Sequence, residues 1–350
     1  MTFGPGTGKM PCVDQQLANY LAARLAVPEV TIRDLQRIYG GASRETWMFT
    51  ACWETDGGPR EEHLVLRKDP PASLLESDRE IEYAFYSAYQ DTEVPVPRMR
   101  WLENDPSHLG SPFFIMDRIL DCEGGAQRIL EPDYDDIRAK IGRRHYEILA
   151  DVHRRDWRGS PITEVIDAPA PEDCWKRELD HWERVIDENE LTPQPIARAA
   201  IRWLRANPPP PPERVTVVHG DYRVGNFLYR HDGGIYGIVD WEMAHLGDPI
   251  EDIAWSFMEA WEWARNGLKG GIIDAEEAIA AYERASGTKV DREALHWWDV
   301  FSGVKGQGIW LTGAKSYQDQ RTPELVLAMT SYWLCNFQDE ILLRSMGRGA

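Results

Sequence analysis

The most constraining stretch of this chain is His219-Gly220-Asp221-Tyr222-Arg223-Val224-Gly225-Asn226, followed after an apolar run by Ile238-Val239-Asp240-Trp241-Glu242. A strand-type segment, 215–219, ends at the histidine. Two further short apolar runs, 227–229 and 235–239, flank His231-Asp232-Gly233-Gly234, a strong hairpin signal. Asp221 and Asn226 thus share a loop, five residues apart, and Asp240 follows 14 residues later at the strand end across the hairpin. This layout converges two carboxylates and one amide oxygen. Phosphoryl transfer uses such a set: one carboxylate orients the attacking hydroxyl and accepts its proton. The other carboxylate and the amide oxygen hold Mg²⁺ against nucleotide phosphates. A lone Asp-x-x-x-x-Asn only caps turns; the order and spacing of the whole string set it apart.

Around this string the pattern changes once along the chain. Residues 1–13, rich in Gly and Pro, read as a flexible arm. Beyond them the chain predicts a helix led by Asp14, strands at 31–39, 46–53 and 63–67, a helix over 77–89, and strands near 98–103 and 112–119. This makes a small β-rich lobe over 14–120. From 121 to 350 long helical patterns dominate, at 134–154, 173–189, 195–206, 274–285, 292–313 and 323–346. The run Pro208 to Pro212 is a stiff connector into the 215–239 insert. Twelve of the 15 tryptophans lie beyond residue 150, so the second lobe carries most of the large aromatic packing.

In order and spacing, the string resembles the catalytic segment of the aminoglycoside phosphotransferase and choline kinase-like family, small-molecule relatives of protein kinases. The wording Gly40-Gly41-Ala42-Ser43, Val65-Leu66-Arg67-Lys68 and Leu246-Gly247-Asp248-Pro249 is most similar to the branch that includes kinase-like domains fused to some acyl-CoA dehydrogenases. The resemblance implies an α+β, protein-kinase-like two-lobed fold and an ATP- and Mg²⁺-dependent kinase acting on a hydroxyl of a small molecule. The acceptor is of hydroxyacyl or aminoglycoside type; the alternative is a non-catalytic nucleotide-binding pseudokinase. Asp221 becomes the catalytic base, Asn226 and Asp240 the Mg²⁺ ligands. Arg223 fills the slot where protein kinases carry a lysine on the transferred phosphate. Gly40, Gly41 and Ser43 form the phosphate-covering turn, Arg67 or Lys68 holds the phosphates, and Glu80 is the acidic partner of that cation. Glu82 points about 200 degrees around the same helix. Backbone near Met116 and Arg118 reads the adenine edge in the segment that joins the lobes. Asp248 is read as a helix cap and Asp252 as structural.

Thirty-nine basic against 58 acidic residues give a net charge of −19, which disfavours nucleic-acid phosphates. No run of 18 apolar residues marks a membrane span, and no signal segment is evident. Five scattered cysteines without a C-x-x-C pair fit a reducing cytoplasm, and the chain is expected to be cytoplasmic, as a monomer or homodimer. Gly4-Pro5-Gly6-Thr7-Gly8-Lys9 lacks the spacing of a phosphate-binding loop. His145 and His153 read as packed or solvated helix residues. Trp255, Trp261, Trp263, Trp297, Trp298 and Trp310 are expected to be mostly core, with one or two lining an acceptor site. Glu251, Glu259 and Glu262 are candidates to receive an acceptor ammonium.

Overall fold

The computed structural model describes residues 13–38, 44–69, 78–321 and 325–347. In chain order the elements are α1 Val13–Leu25, β1 Thr31–Ile38, β2 Glu45–Thr55, β3 Gly58–Lys68, α2 Arg79–Tyr89, β4 Met99–Glu103, β5 Phe113–Asp117, α3 Arg138–Arg154, α4 Cys174–Asn189 and α5 Pro195–Ala206. They continue with β6 Thr216–Val218, β7 Phe227–Tyr229, β8 Ile235–Ile238, β9 His245–Gly247, α6 Ile250–Ser256, α7 Ala275–Ser286, α8 Arg292–Gln318 and α9 Leu325–Ser345. Contacts divide them into two units: α1 with β1 to β5 forms the first, and α2 joins all the later elements in the second. The break after Arg118 lies beside the sequence boundary at 120. The helix α2 groups instead with the later residues, because Phe85, Tyr86 and Tyr89 pack on Trp241.

The first unit is an antiparallel sheet in the order β1-β2-β3-β5-β4. Strands β2 and β3 close on a two-residue turn, Asp56-Gly57, with Thr55 opposite Gly58. Alternation then sorts β3 into two faces. Leu64 and Leu66 join Phe49, Ala51, Phe113 and Ile115 in a core covered by Leu17, Tyr20 and Leu21 of α1. Val65 and Arg67 point to the opposite face, in register with Met116 and Phe114 of β5. Lys68 falls on the core side, where its Nζ lies 3.5 Å from the Leu109 carbonyl and 3.5 Å from a Glu45 carboxylate oxygen.

In the second unit, short strands carry the loops while helices supply the mass. β6 pairs with β9, and β7 with β8. The three-residue β9, His245–Gly247, was not foreseen. The helix expected from 134 starts at Arg138, because Pro132–Tyr134 forms a 3₁₀ turn that buries Tyr134 against Tyr229. α8 runs past Gly313 to Gln318. Glycines of this helix serve close packing and do not end it: a Cβ on Gly303 would collide with Leu342 of α9 at 2.5 Å. Among the described residues no helix is long and apolar enough to cross a membrane.

Candidate functional site

The turn at Gly220 aims the site. Its φ is +81°, and a Cβ there would strike the backbone carbonyl of Met243, so only glycine fits. His219, fully buried just before it, locks the turn from both ring nitrogens. A backbone N–H can only donate, so Nδ1 accepts from the Asp221 amide at 3.2 Å; a carbonyl can only accept, so Nε2–H donates to Val239 O at 3.1 Å. Burial pushes the His219 pKa down, against the nearby carboxylates Asp252, Asp221 and Asp240, which suits this neutral tautomer.

Asp221 is held at both oxygens. Oδ1 accepts from Arg223 Nε at 3.0 Å and from Trp255 Nε1 at 2.7 Å. Oδ2 accepts from Asn226 Nδ2 at 2.6 Å, and the same amide nitrogen donates to the Asp221 carbonyl at 2.9 Å. The Asn226 carboxamide is thereby turned with its nitrogen to Asp221 and its oxygen away. Asp240 follows Val239, whose N–H donates to the Asn226 carbonyl at 3.0 Å, so the two predicted ligands sit on hydrogen-bonded neighbouring backbones. Asp240 itself is left-handed, φ 71° and ψ 53°, and its N–H donates to Tyr86 Oη at 2.9 Å. Asp221, Arg223, Asn226 and Asp240 are thus brought together.

Beneath them lies Asp252, completely buried. Its Oδ2 accepts the His219 N–H at 2.7 Å and lies 3.1 Å from His153 Nε2, and its Oδ1 accepts the Gly220 N–H at 2.9 Å. Asp248 stands one residue before Pro249, the N-cap of α6: its Oδ1 accepts the Ile250 N–H at 2.9 Å and its Oδ2 the Trp298 indole at 3.1 Å, while burial pushes its pKa up to about 6. The two helix histidines are packed. His153 bonds Asp252 and, 2.8 Å away, Tyr282, and His145 stacks on Tyr222 at 4.2 Å with burial pushing its pKa down to about 3.

Beside Asp221 stands an aromatic group. Trp255 and Trp261 meet edge-on at 5.4 Å, Trp310 adds a third ring, and the Arg223 guanidinium lies over Trp261 at 4.6 Å. Trp297 and Trp298 are core, while Trp263 is half exposed. The acidic candidates for an acceptor ammonium are already engaged. Glu251, fully buried, holds Lys305 and His245; Glu262 pairs with Lys269 at 2.8 Å and Glu259 with Arg344 at 2.8 Å. The direct hydrogen bond from Trp255 to Asp221 and the ammonium of Lys305 on the Gly220 carbonyl were not foreseen, because no local spacing signals them.

In the first unit, Arg67 shares the face of Val65 and Met116 and not that of Lys68. The Arg118 N–H donates to His63 O at 2.9 Å, so that group is used within the sheet and is not open to an adenine edge. Glu80 opens α2, its N–H capped by Asp78 Oδ1 at 2.8 Å. The buried acid of α2 is Glu82, on the face of Phe85, Tyr86 and Tyr89; its i, i+3, i+4, i+7 spacing with those aromatics was the available signal. Gly40, Gly41 and Ser43 lie outside the described residues.

Close by, His245 donates from Nδ1 to Met243 O at 3.1 Å and from Nε2 to Glu251 at 3.1 Å, with Glu178 at 3.7 Å. Two donating nitrogens make it an imidazolium. Burial pushes its pKa down, but the two glutamates outweigh that and raise it to about 9. Because the folded value lies above the unfolded value of about 6.5, the stability it contributes is whole below that pH and is lost as pH rises through 9. Calorimetry should therefore show the melting midpoint falling between about pH 7 and pH 10, and His245→Gln flattening that fall. A wild-type midpoint flat over this range would rule out the charged histidine.

A family model described as "Phosphotransferase enzyme family" matches residues 34–298. The Arabidopsis thaliana protein named Probable acyl-CoA dehydrogenase IBR3 is 28% identical over 311 residues, covering 79% of this chain and 35% of that protein. The chain spans about a third or less of the length of the first such relatives, which are acyl-CoA dehydrogenase family members. Among solved structures, a Ralstonia eutropha protein described as a candidate aminoglycoside phosphotransferase superposes with a TM-score of 0.67 at 20% identity, covering 91% of this chain and 93% of that one. A thermostable aminoglycoside phosphotransferase APH(4)-Ia variant, solved with ADP and hygromycin B, gives 0.61 at 17% identity, covering 96% and 100%. At these identities the structures establish the fold, an α+β, protein-kinase-like one, and the family model goes further. With the match running from the first sheet through α6 into α8, the chain belongs to the phosphotransferase enzyme family.

Proposed function

We propose that the chain transfers the γ-phosphate of ATP to a hydroxyl group of a small molecule. The observation that carries this reading is the Asp221 carboxylate, fixed by Asn226, Arg223 and Trp255 at the head of a glycine turn. Asp221 orients the acceptor hydroxyl and takes its proton as the new oxygen–phosphorus bond forms. The bond from the γ-phosphorus to the bridging oxygen breaks, and ADP leaves with that electron pair. Arg223 and Trp255 hold the carboxylate in one orientation, so little reorganisation is needed at the moment of transfer.

The residues fit a magnesium ion by their donor chemistry. The Asn226 amide nitrogen is spent on Asp221, which leaves a hard amide oxygen facing away, and Asp240 supplies a carboxylate from the adjoining backbone. Asn226 and Asp240 would hold the ion, which when bound neutralises charge on the nucleotide phosphates. For the phosphates themselves we favour Arg67 over Lys68, because Lys68 is turned to the core side and engaged there. Arginine can clamp two phosphate oxygens at once. Met116, on the Arg67 face, would pack against the base, and Gly40, Gly41 and Ser43 would cover the phosphates.

For the acceptor, a hydroxyacyl compound fits better than an aminoglycoside. Glu251, Glu259 and Glu262 are all paired internally, whereas indoles flank the catalytic carboxylate. The similarity to acyl-CoA dehydrogenase family members points the same way. The test is transfer from γ-labelled ATP with Mg²⁺ to a panel of aminoglycosides, choline-like amines, sugars, and hydroxy acids with their thioesters. Labelled product from a hydroxy acid or its thioester is expected. Product only from an aminoglycoside would overturn the acceptor class, and absence of Mg²⁺-dependent ATP binding would overturn the catalytic reading.

A further inference from the structure

The carbonyl of Gly220 is turned inward by the same positive φ that aims Asp221, and a buried carbonyl needs a donor. That donor arrives from 85 residues away: Lys305 Nζ, in the middle of α8, lies 2.6 Å from Gly220 O. The ammonium is 1% exposed and is neutralised by Glu251 Oε1 at 2.9 Å, whose other oxygen accepts from His245. Two indoles complete its surroundings, Trp255 with its centroid 4.8 Å away and Trp182 at 5.8 Å. Trp255 is the same ring whose N–H donates to Asp221 Oδ1. One ammonium therefore touches the catalytic turn twice, through the peptide before Asp221 and through the face of the indole that holds its carboxylate.

We propose that Lys305 is a positioning residue, a clamp from α8 that sets the Gly220 peptide and the Trp255 ring and so fixes where the Asp221 carboxylate points. This rests on the catalytic reading of Asp221. A long, flexible lysine is costly to bury, and hydrophobic packing of α8 would not require one; its two polar contacts account for its presence. The clamp does not touch a substrate and changes no bond. It restricts a loop that already has Asp252 on the amides of His219 and Gly220, closing the turn from the carbonyl side as Asp252 closes it from the N–H side.

The experiment compares Lys305→Met and the double variant Lys305→Met/Glu251→Gln with wild type in the full chain. The double variant removes both charges together, so that it keeps its fold if the single variant does not. Amide hydrogen exchange is read at His219, Gly220 and Asp221, all hydrogen-bonded donors. Exchange there should accelerate about tenfold while amides in the core of α3 keep their protection and unfolding stays cooperative. Phosphate transfer should slow about 10- to 100-fold with the KM for ATP unchanged. Unchanged exchange at the three amides, or an equal rise throughout the protein, would overturn the clamp. The exchange readout needs no turnover: if Asp221→Asn left transfer intact, the catalytic reading would fall while exchange still decided whether Lys305 holds the turn.

Discussion

Asp221→Ala should lower phosphate transfer by about 1,000-fold while ATP and Mg²⁺ still bind, the range expected when a positioned general base is removed. The choice of alanine follows from the hydrogen bonds. Asn226 Nδ2 donates to both the Asp221 carbonyl and its Oδ2, and the carbonyl bond survives truncation. Asp221→Asn should lose transfer to the same extent and also weaken Mg²⁺-dependent nucleotide binding. If its oxygen stays under Trp255 and Arg223, its new NH₂ group faces the NH₂ of Asn226, and two donors cannot share that contact. The Asn226 carboxamide must then turn, carrying its oxygen out of position. Steady-state transfer assays and calorimetric titration of both variants separate these effects. Wild-type transfer in either variant would remove Asp221 from the chemistry.

Asp252→Ala should have the largest effect on stability, about 3–5 kcal/mol, without touching any group that meets substrate. The substitution strips an acceptor from two buried amides, His219 and Gly220, and from His153, whose other nitrogen faces Tyr282. Buried donors left without partners cost far more than the net worth of the bonds removed. Burial alone would raise the Asp252 pKa. The His153 hydrogen bond and the His219 N–H outweigh it, and the folded value falls below the ordinary one. Its contribution is therefore present above about pH 4 and disappears as pH falls through the lowered folded value. Urea unfolding at neutral pH measures the loss; a change below about 1 kcal/mol would mean that the turn is held by other contacts. With His245 acting at the alkaline end, the contributions of these two groups should be greatest together between about pH 4 and 6.5 and decline toward both extremes.

The string from His219 to Asp240 was legible before any coordinates because its parts are close in sequence and its geometry is made locally. A strand that ends at His219, a glycine that alone tolerates the turn, an Asn five residues on and a hairpin that returns Asp240 are all short-range features. The β2–β3 hairpin is made by equally short-range means, closing on the two-residue turn Asp56-Gly57. Asp248 and Asp252 were separable from Asp221 and Asp240 by position alone, one before a proline and one within the following helix.

Other assignments depended on which face of an element is covered. Arg67 and Lys68 are neighbours and both cationic, and only the pairing of β3 with β5, and the packing of α1, turns one to each side. Glu80 and Glu82 differ by two residues, and the packing of α2 on Trp241 decides that Glu82 is the buried one. The three glutamates proposed for an acceptor ammonium look alike in sequence, yet each already has a cationic partner. Strand β9, the bond from Trp255 and the ammonium of Lys305 reach the β6 strand and its turn from 27, 34 and 85 residues away. By itself the sequence determined the family, the chemistry-bearing string and the alternation that makes the sheet, since turn preference and periodicity act within a few residues. Tertiary structure alone decided which cation lies on the face away from the α1-covered core, which acids are spent, and what holds the turn at Gly220. Burial and ion pairing join residues whose separation along the chain obeys no period.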